Sequence, residues 1–349
     1  MFSRPPDTSR ATAPAALRPD GRVTVVAEAA QGYEGNLTVA TLIVRAAAAA
    51  GADVVKLQLV YANELTTPDH RHYGLFRNLE MEDACWQDVA AESRRCGIGL
   101  AFDVFGQRSL NMALACGAHA VKIHASDILN HHFVAEAIRR APHVYLSTGG
   151  IAAEEMAQVL ARHPAAIDRA TAMYGFQGEP TANCDNHLAR LAVLRRRFPT
   201  LRFGFMDHAD GATDEAVWLG VLAVPYGVVV IEKHLTLDRA LALEDYVSAV
   251  APERFAQFVK RIRAAEAAIG RDDLTLTSAE QEYRRKALKV VVAVQPLAAR
   301  SPIEADGIRL LRAPLEAHRA PLFALELARG RTLRRGIDTG RPIYEDDLA

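Results

Sequence analysis

Three lysines follow apolar, β-branched runs, in the segments DVVKLQ (53–58), HAVKIHASD (119–127) and VVVIEKH (228–234). The chain has only six lysines against 35 arginines, so these lysines stand out from its bulk positive charge. A buried strand does not tolerate an unpaired ammonium. Lys56, Lys122 and Lys233 therefore predict strand ends that converge on one anionic ligand. The alternative at any single site is a lysine that extends from the strand end to solvent.

Two histidines also end apolar runs, and an acidic residue lies one or two positions before each: His208 in FMDH and His234 in VIEKH. Imidazoles from neighbouring strand ends can bind one divalent metal, with water or substrate oxygens completing its coordination. A histidine that is merely hydrogen-bonded is the alternative for each residue taken alone. The pair predicts a metal site, and the lysines with Ser147 predict a site for a phosphate or carboxylate.

Eight short β-like runs alternate with helical patterns over about 250 residues, which predicts an α/β protein built as a closed (β/α)₈ TIM barrel. The runs are VTVVAE (23–28), DVVKLQ (53–58), IGLAFD (98–103), HAVKIH (119–124), HVYLST (143–148), ATAMY (170–174), LRFGFMDH (201–208) and GVVVIEKH (227–234). Most are continuously apolar, as expected of strands covered on both faces. A doubly wound open sheet is the alternative.

Barrel enzymes carry their active sites at the C-terminal ends of the strands. The polar residues at these ends are too many to be barrel filling: Glu28, Lys56, Gln58, Asp103, Lys122, His124, Ser126, Asp127, Ser147, Asp207, His208, Glu232, Lys233 and His234. The long loop at about 59–81 follows the second strand, so we expect it to cover this face.

Composition narrows the classes of function. A formal net charge of −1 argues against nucleic-acid binding. No apolar run approaches the roughly 20 residues that cross a bilayer, which predicts no membrane association. Residues 1–21 have no apolar signal segment and are expected to be a flexible tail. Four cysteines without a CxxC pair indicate a reducing cytoplasm.

The sequence pattern changes near residue 274, which predicts a second domain. We expect the barrel over 22–270, a linker over 271–285 and a small β-rich domain over 286–349. A domain of about 60 residues is near the lower limit for an independent core. It is therefore expected to dock on a barrel, either its own or a partner's.

Seven segments carry a resemblance to a known family: AEAAQGYEGN (27–36), GADVVKLQ (51–58), AVKIHASDILN (120–130), YLSTGG (145–150), FMDHADG (205–211), VIEKHLTLDR (230–239) and LEDYVSAVAPE (243–253). The chain resembles the sialic acid synthases, which condense phosphoenolpyruvate with an N-acylated hexosamine to form nonulosonic acids. The C-terminal segment resembles the antifreeze-like (SAF) domain of that family. The resemblance covers roughly residues 22–349.

The resemblance implies roles for the residues that match the family's motifs. His208 and His234 fall on the ligands of a divalent metal, Mn²⁺ or Mg²⁺. Lys56, Lys122 and Ser147 fall on positions that contact phosphoenolpyruvate.

Further positions follow from the same resemblance. Glu28, Gln58, Glu232 and Asp245 fall on motif or sugar-handling positions. Arg312, in LLRAP, falls near an arginine that enters a partner subunit's site, which implies a domain-swapped homodimer.

Five positions depart from the family pattern. Asp103 lies where a threonine should meet the donor. Ala125 and Met206 replace serines, Asp127 replaces a glutamate, and Gln177 lies in the segment MYGFQ in place of His-Cys-Thr. These departures alter several hydrogen bonds to the donor.

Asp103 is the largest departure, because a carboxylate near a dianionic donor costs Coulomb energy, roughly 4 kcal/mol at about 4 Å. It could be protonated, contact the acceptor's hydroxyls or pair with Lys56 or Lys122. We favour pairing with a lysine, and expect Asp103 to tune the site for an unusual acceptor.

The implied reaction is an aldol-like condensation in which a metal stabilises the alkoxide. Glu28, Glu232 and Asp103 are the candidates for proton transfer. The candidates for substrate binding are Lys56, Gln58, Lys122, Asp127, Ser147, Gln177, Lys233, Asp245 and Arg312. A lysine Schiff-base aldolase, another metal-dependent aldolase and a non-catalytic sugar-binding homologue are the alternatives.

Overall fold

A computed structural model describes residues 21–164, 166–270 and 273–349. The expected N-terminal tail therefore lies outside the described residues, except for Gly21. The described chain forms two compact units that separate after Gly270.

The first unit is a closed barrel of eight parallel strands, each paired with its neighbours in chain order, and the eighth pairs with the first. The strands are β1 Thr24–Ala30, β2 Val54–Gln58, β3 Gly99–Val104, β4 Ala120–Ile123, β5 Val144–Ser147, β6 Ala170–Tyr174, β7 Arg202–Asp207 and β8 Val230–His234. The predicted barrel is confirmed, and the open doubly wound sheet is wrong. The strands are buried because helices cover the outside and side chains fill the inside.

Helices connect most of the strands. They are α1 Leu37–Ala49, α2 Ala62–Leu65, α3 Tyr73–Leu79, α4 Asp83–Cys96, α5 Gln107–Ala115, α6 His131–Arg140, α7 Ala153–Arg162, α8 Ala166–Arg169, α9 Arg190–Arg197 and α10 Pro252–Ile269. Asn36 caps α1, since its side-chain oxygen accepts a hydrogen bond from the Val39 amide. The long loop after β2 contains α2 and α3.

The connection between β7 and β8 departs from the predicted alternation of strands with helical segments, because it contains no regular α-helix. It consists of two 3₁₀ segments, Asp214–Val217 and Gly220–Tyr226. Pro225 lies inside the second segment and cannot donate a backbone hydrogen bond. Gly220 packs so closely on Phe258 that an added Cβ would lie 2.8 Å from the ring. Proline and close packing therefore replace the α-helix with tighter turns.

The second unit begins with α11, Ser278–Ala287, whose first turn is capped by Thr277 and Glu280. This helix occupies much of the segment expected to be a linker. Two antiparallel strands follow, β9 Val290–Ala293 and β10 Ile308–Leu311. Their apolar side chains form a separate small core with residues from the C-terminal turns, including Ile303, Leu322, Leu333 and Ile343.

No helix in the described part of the chain is long and apolar enough to cross a membrane. All four cysteines lie within the described residues and are free thiols.

Candidate active site

Alternation along the strands decides which side chains enter the barrel. A lower layer of mostly apolar residues fills the interior: Val26, Val54, Ala101, Ala120, Tyr145, Met173, Met206 and Val230. Two residues further along the strands, polar groups take their place, for example Glu28 after Val26, Lys56 after Val54 and Glu232 after Val230. The apolar layer therefore forms a floor, and the ionisable groups lie at the C-terminal end of the barrel.

A cavity of about 220 Å³ opens at this end. Nine of the site residues predicted from the sequence line it: Glu28, Gln58, Asp103, Lys122, Gln177, His208, Glu232, His234 and Asp245. Three further residues complete the wall: Gln31, His124 and Glu179. The cavity is thus built from the ends of six strands, all but β5 and β6, and from the loops that follow β1, β6 and β8.

Lys56 is fully buried beneath this cavity and is enclosed by carboxylates. Its Nζ contacts Glu28, lies 2.5 Å from Asp103 Oδ2 and lies 3.7 Å from Glu232 Oε2. The predicted pairing of Asp103 with a lysine is confirmed. Burial lowers the pKa of the Lys56 amine, whereas Asp103 and Glu232 oppose that change. The Lys56 amine is therefore already paired with the protein's own carboxylates when no ligand is bound.

Lys122 is buried as well, but its amine faces the cavity. It donates to Glu232 Oε1 at 2.7 Å and lies 4.0 Å from Asp103 Oδ1. Burial opposes its charge, yet Asp103 and Glu232 outweigh burial and raise the pKa of the amine. Burial alone would raise the pKa of Glu232, but Lys122 and Lys56 hold it below its ordinary value. Both groups are charged at neutral pH.

Three buried polar atoms in the cavity wall have no hydrogen-bond partner: Asp103 Oδ1, Glu232 Oε2 and His208 Nδ1. Their side chains are at most 6% exposed. Buried polar atoms are normally satisfied, because an unmade hydrogen bond costs about 1–3 kcal/mol. Their grouping in one cavity is the pattern expected of a site that is completed by its ligand.

His208 directly follows β7 and His234 ends β8, and their ring centroids lie 4.9 Å apart. Burial, with a contribution from Lys122, lowers the pKa of His208 to about 4. Burial and the neighbouring His208 lower the pKa of His234 well below its ordinary value. Both rings are therefore neutral at pH 7, which is the form that binds a metal.

The residues present fit a divalent metal held by two protein ligands. The free nitrogen of His208 and the free oxygen of Glu232 face the same cavity as His234. No group of three or more His, Cys, Asp or Glu side chains among the described residues is arranged to hold a metal. Water or substrate oxygens would have to complete the coordination of an ion bound to the histidine pair.

The rim of the cavity is formed by loop residues. The backbone N–H of Gln31 donates to Asp245 Oδ2 at 3.1 Å, and the side-chain Nε2 of Gln31 donates to Gln58 Oε1 at 2.9 Å. Glu179 and Asp245 lie side by side. Desolvation and the Asp245 carboxyl raise the pKa of Glu179 to about 7, and burial raises that of Asp245.

Glu179 and Gln31 were not predicted as site residues, because neither ends a strand. Glu179 follows β6 by five residues, and Gln31 is the first residue after β1. The only signal available was their position in loops that follow strands, where barrel sites are built. His124 was noted at a strand end but was not assigned a role.

Two predicted residues lie beside the cavity without lining it. The buried Ser147 hydroxyl donates to Gln177 Oε1 at 3.4 Å, and Gln177 in turn lines the cavity. Asp127 lies in the 3₁₀ turn after β4 and accepts a hydrogen bond from the Ser126 hydroxyl at 2.7 Å.

The predicted role of Lys233 in substrate binding needs correction. Lys233 lies between Glu232 and His234 on β8, so alternation points it away from the cavity. Its Nζ lies 3.1 Å from Asp207 Oδ1 and donates to the Ala209 carbonyl at 3.0 Å. Lys233 therefore stabilises the outer side of β7 and β8. Arg312 belongs to the second unit, where it is exposed and its Nε donates to the Ala287 carbonyl.

A larger cavity of about 650 Å³ lies beside α7 and α9. Its wall is chiefly apolar and includes Met156, Phe176 and Leu194. The convergent charges lie in the smaller cavity, so we assign the chemistry there.

Comparison with protein families gives two matches on this chain. The profile of the NeuB family matches residues 43–273, and that of the SAF domain matches residues 289–349. The two matches together span most of the described chain.

Individual proteins are similar over most of their length. An N,N'-diacetyllegionaminic acid synthase from Campylobacter jejuni is 24% identical, over 78% of this chain and 85% of that protein. A pseudaminic acid synthase from the same species is 25% identical, over 94% and 97%. The crystal structure of an N-acetylneuraminic acid synthetase from Leptospira borgpetersenii, in complex with citrate, has a TM-score of 0.70 at 24% identity. It covers 76% of this chain and 92% of that one. This structural likeness shows the shared fold.

Proposed function

Because the chain belongs to the NeuB family and carries a SAF domain, we propose that it is a nonulosonic acid synthase. The reaction would condense phosphoenolpyruvate with an N-acylated hexosamine or a related aldose and release phosphate, with the help of a divalent metal. The observation that supports this proposal most is the convergence of Lys122, Glu232, His208 and His234 in one cavity.

Lys122 is suited to hold the anionic donor. Its ammonium is charged, faces the cavity and donates a hydrogen bond to Glu232, while Asp103 lies 4.0 Å away. A compact ammonium with three donors can bind a phosphate or carboxylate oxygen while keeping one bond to Glu232. Lys56 would act at longer range, because its amine is enclosed by Glu28 and Asp103.

In the proposed reaction, the methylene carbon of the enol phosphate forms a bond to the aldehyde carbon of the open-chain sugar. The aldehyde oxygen becomes an alkoxide and takes a proton. Water adds to the cationic carbon that bears the phosphate, and the carbon–oxygen bond to phosphate then breaks. The products are a 2-keto acid and inorganic phosphate, so atoms and charges balance.

The protein's carboxylates would move the protons. Glu232 is ionised and has one oxygen without a partner, so it can accept the proton of the attacking water. Glu28 is held by the Ala30 amide and by Lys56, which suits it to orient the network. A metal held by His208 and His234 would supply Lewis acidity to the aldehyde oxygen.

The Schiff-base alternative fits less well. Such a mechanism needs an uncharged, accessible amine. Lys56 is enclosed by three carboxylates, and the pKa of Lys122 is raised. Neither amine is placed to attack a carbonyl group.

The proposal is tested by measuring inorganic phosphate released from phosphoenolpyruvate with Mn²⁺ and a panel of hexosamines and N-acyl hexosamines. We expect release with at least one acceptor, and a fall of about 10³-fold or more in Lys122→Gln, because a charged contact to the reacting group is lost. Lys260→Gln is the matched control, since Lys260 is exposed on α10.

Two results would contradict the proposal. The absence of phosphate release with every acceptor would favour the sugar-binding alternative. Full activity after exhaustive chelation would show that the reaction does not need a metal.

A further inference from the structure

The cavity carries an excess of negative charge. Five carboxyl groups line it, from Glu28, Asp103, Glu179, Glu232 and Asp245, whereas Lys122 is the only amine that does so in the described part of the chain. The buried Lys56 adds one more positive charge below. The carboxyl groups of the cavity therefore outnumber its amines five to two.

The excess is concentrated at the rim. Glu28, Asp103 and Glu232 share Lys56 and Lys122 at the bottom of the cavity. Glu179 and Asp245 make no salt bridge with any lysine or arginine of the described residues, and burial together with the nearby Asp245 carboxyl raises the pKa of Glu179. Two adjacent carboxylates without a counter-ion are unfavourable unless a proton or a bound cation offsets them.

Unsatisfied atoms deeper in the cavity show that it is built for a ligand. Asp103 Oδ1 and Glu232 Oε2 are buried acceptors without a donor, and both side chains are about 1% exposed. A ligand that fills the cavity down to these atoms must bring hydrogen-bond donors. These deep acceptors thus favour a ligand rich in hydrogen-bond donors, and the rim pair favours one that carries a positive charge.

We propose that the acceptor sugar carries a free ammonium group, and that Glu179 and Asp245 bind this group at the rim. The inference rests on the proposed function and specifies its acceptor. An ammonium has three donors, and the rim offers three acceptors: the two carboxyl groups and the side-chain carbonyl of Gln31. The side-chain nitrogen of Gln31 already donates to Gln58. An N-acyl group is uncharged and would leave a proton as the only compensation of the carboxylate pair.

A second metal ion is the competing occupant of the rim. The described residues provide no group of three His, Cys, Asp or Glu side chains that could hold one. An ammonium needs hydrogen-bond acceptors but no fixed coordination geometry, so the observed rim favours it.

The test compares three sugars that differ at one substituent: D-mannosamine, N-acetyl-D-mannosamine and D-mannose. Their binding to the full-length protein with Mn²⁺ is measured by titration calorimetry at about pH 7, where most of such an amine is protonated. We expect D-mannosamine to bind about tenfold or more tightly than either neutral sugar. Glu179→Gln and Asp245→Asn should each reduce that preference to about twofold or less, because one charge of the pair is lost.

Glu244→Gln is the matched control. Glu244 lies next to Asp245, and desolvation and the nearby Asp245 charge raise its pKa, but its side chain does not line the cavity. It should keep the preference for the amine. A wild-type protein that binds the amine no more tightly than the neutral sugars, including one that binds none of the three, overturns the inference. So does a preference that survives both rim substitutions.

The inference and the proposed function fail separately. Phosphate release with a neutral acceptor, without a preference for the amine, keeps the function and ends the inference. A preference for the amine without phosphate release from phosphoenolpyruvate keeps the ammonium-binding rim and ends the proposed function.

Discussion

Asp103 shows how one side chain changes the charge of a site. It ends β3 inside the barrel, and its two oxygens face two lysines, Lys56 at 2.5 Å and Lys122 at 4.0 Å. With Glu28 and Glu232, it brings the buried cluster to three carboxylates against two ammonium groups. A cluster with balanced charges would result if residue 103 were neutral, as the family resemblance implies. Asp103 therefore reduces the positive potential available to an anionic donor.

We predict that Asp103→Thr strengthens the binding of phosphoenolpyruvate by about tenfold or more. A tenfold change in affinity corresponds to about 1.4 kcal/mol, and the repulsion between one carboxylate and a nearby anionic donor is larger than that. Lys56 keeps Glu28 and Glu232 as partners, so it is not left unpaired. The measurement is a binding titration with phosphoenolpyruvate in the presence of Mn²⁺.

Asp103→Asn separates charge from shape in this prediction. It removes the charge but keeps the size of the side chain, so it should also strengthen the binding of phosphoenolpyruvate. If neither substitution changes the affinity for phosphoenolpyruvate or the choice of acceptor, the donor does not lie near residue 103, and the proposed tuning is wrong.

At the scale of the elements, the loops after the strands place the rim residues. The loop after β6 starts at Gly175, whose φ of +151° is a conformation that other residues rarely adopt. An added Cβ there would collide with the Met206 carbonyl of β7. The close approach of this loop to β7 positions Gln177 and Glu179 over the cavity.

We predict that Gly175→Ala lowers the free energy of unfolding by about 1–3 kcal/mol, because both the backbone conformation and the contact with β7 must change. The same change should weaken acceptor binding, since the loop carries Glu179. Urea denaturation and the sugar titration measure the two effects.

Gly74→Ala serves as the matched control for this loop. Gly74 lies in α3, and an added Cβ there would meet nothing within 4 Å. Its stability should stay within about 1 kcal/mol of the wild type or rise slightly. A Gly175→Ala protein that is as stable as Gly74→Ala and binds sugars normally would show that the loop tolerates a side chain at residue 175.

At the scale of the whole molecule, the second unit is small but has its own stabilising contacts. Arg319 contacts both Asp346 and Asp347 near the C-terminus, and Arg335 also pairs with Asp347. These contacts hold the last turns against the small core. We propose that this unit completes the barrel site of a partner subunit through Arg312, in a domain-swapped homodimer.

We predict that Arg312→Ala reduces turnover by about tenfold or more, because a charged contact to the substrate is lost. His208→Ala should be inactive through its barrel. If the arginine acts on the partner's barrel, co-expression of the two variants should restore roughly a quarter of the wild-type activity, since random pairing gives half heterodimers with one complete site each. Phosphate release and light scattering measure activity and assembly.

Arg309→Ala is the control for this experiment, because Arg309 is also exposed and lies on β10. It should retain full activity. An active monomer, or a co-expressed pair that shows no restored activity, would mean that Arg312 does not act across subunits.

The sequence alone was sufficient to predict the barrel, because continuous apolar runs of strand length that alternate with helical patterns leave few other arrangements. It also identified most of the cavity wall. Glu28, Lys122 and Glu232 end apolar runs, and parallel strand ends must meet at one face of a barrel. The small C-terminal unit followed from the change of pattern near residue 274.

The tertiary structure alone decided how these groups are partnered and which way they face. Lys233 and Lys122 look alike in the sequence, yet the two-residue period points Lys122 into the cavity and Lys233 to the outer side of β8. Glu179 lies in a loop without periodicity, so only the folded path of the chain brings it beside Asp245. The two residues are separated by 66 positions, and their charges interact through space, which no local sequence pattern records.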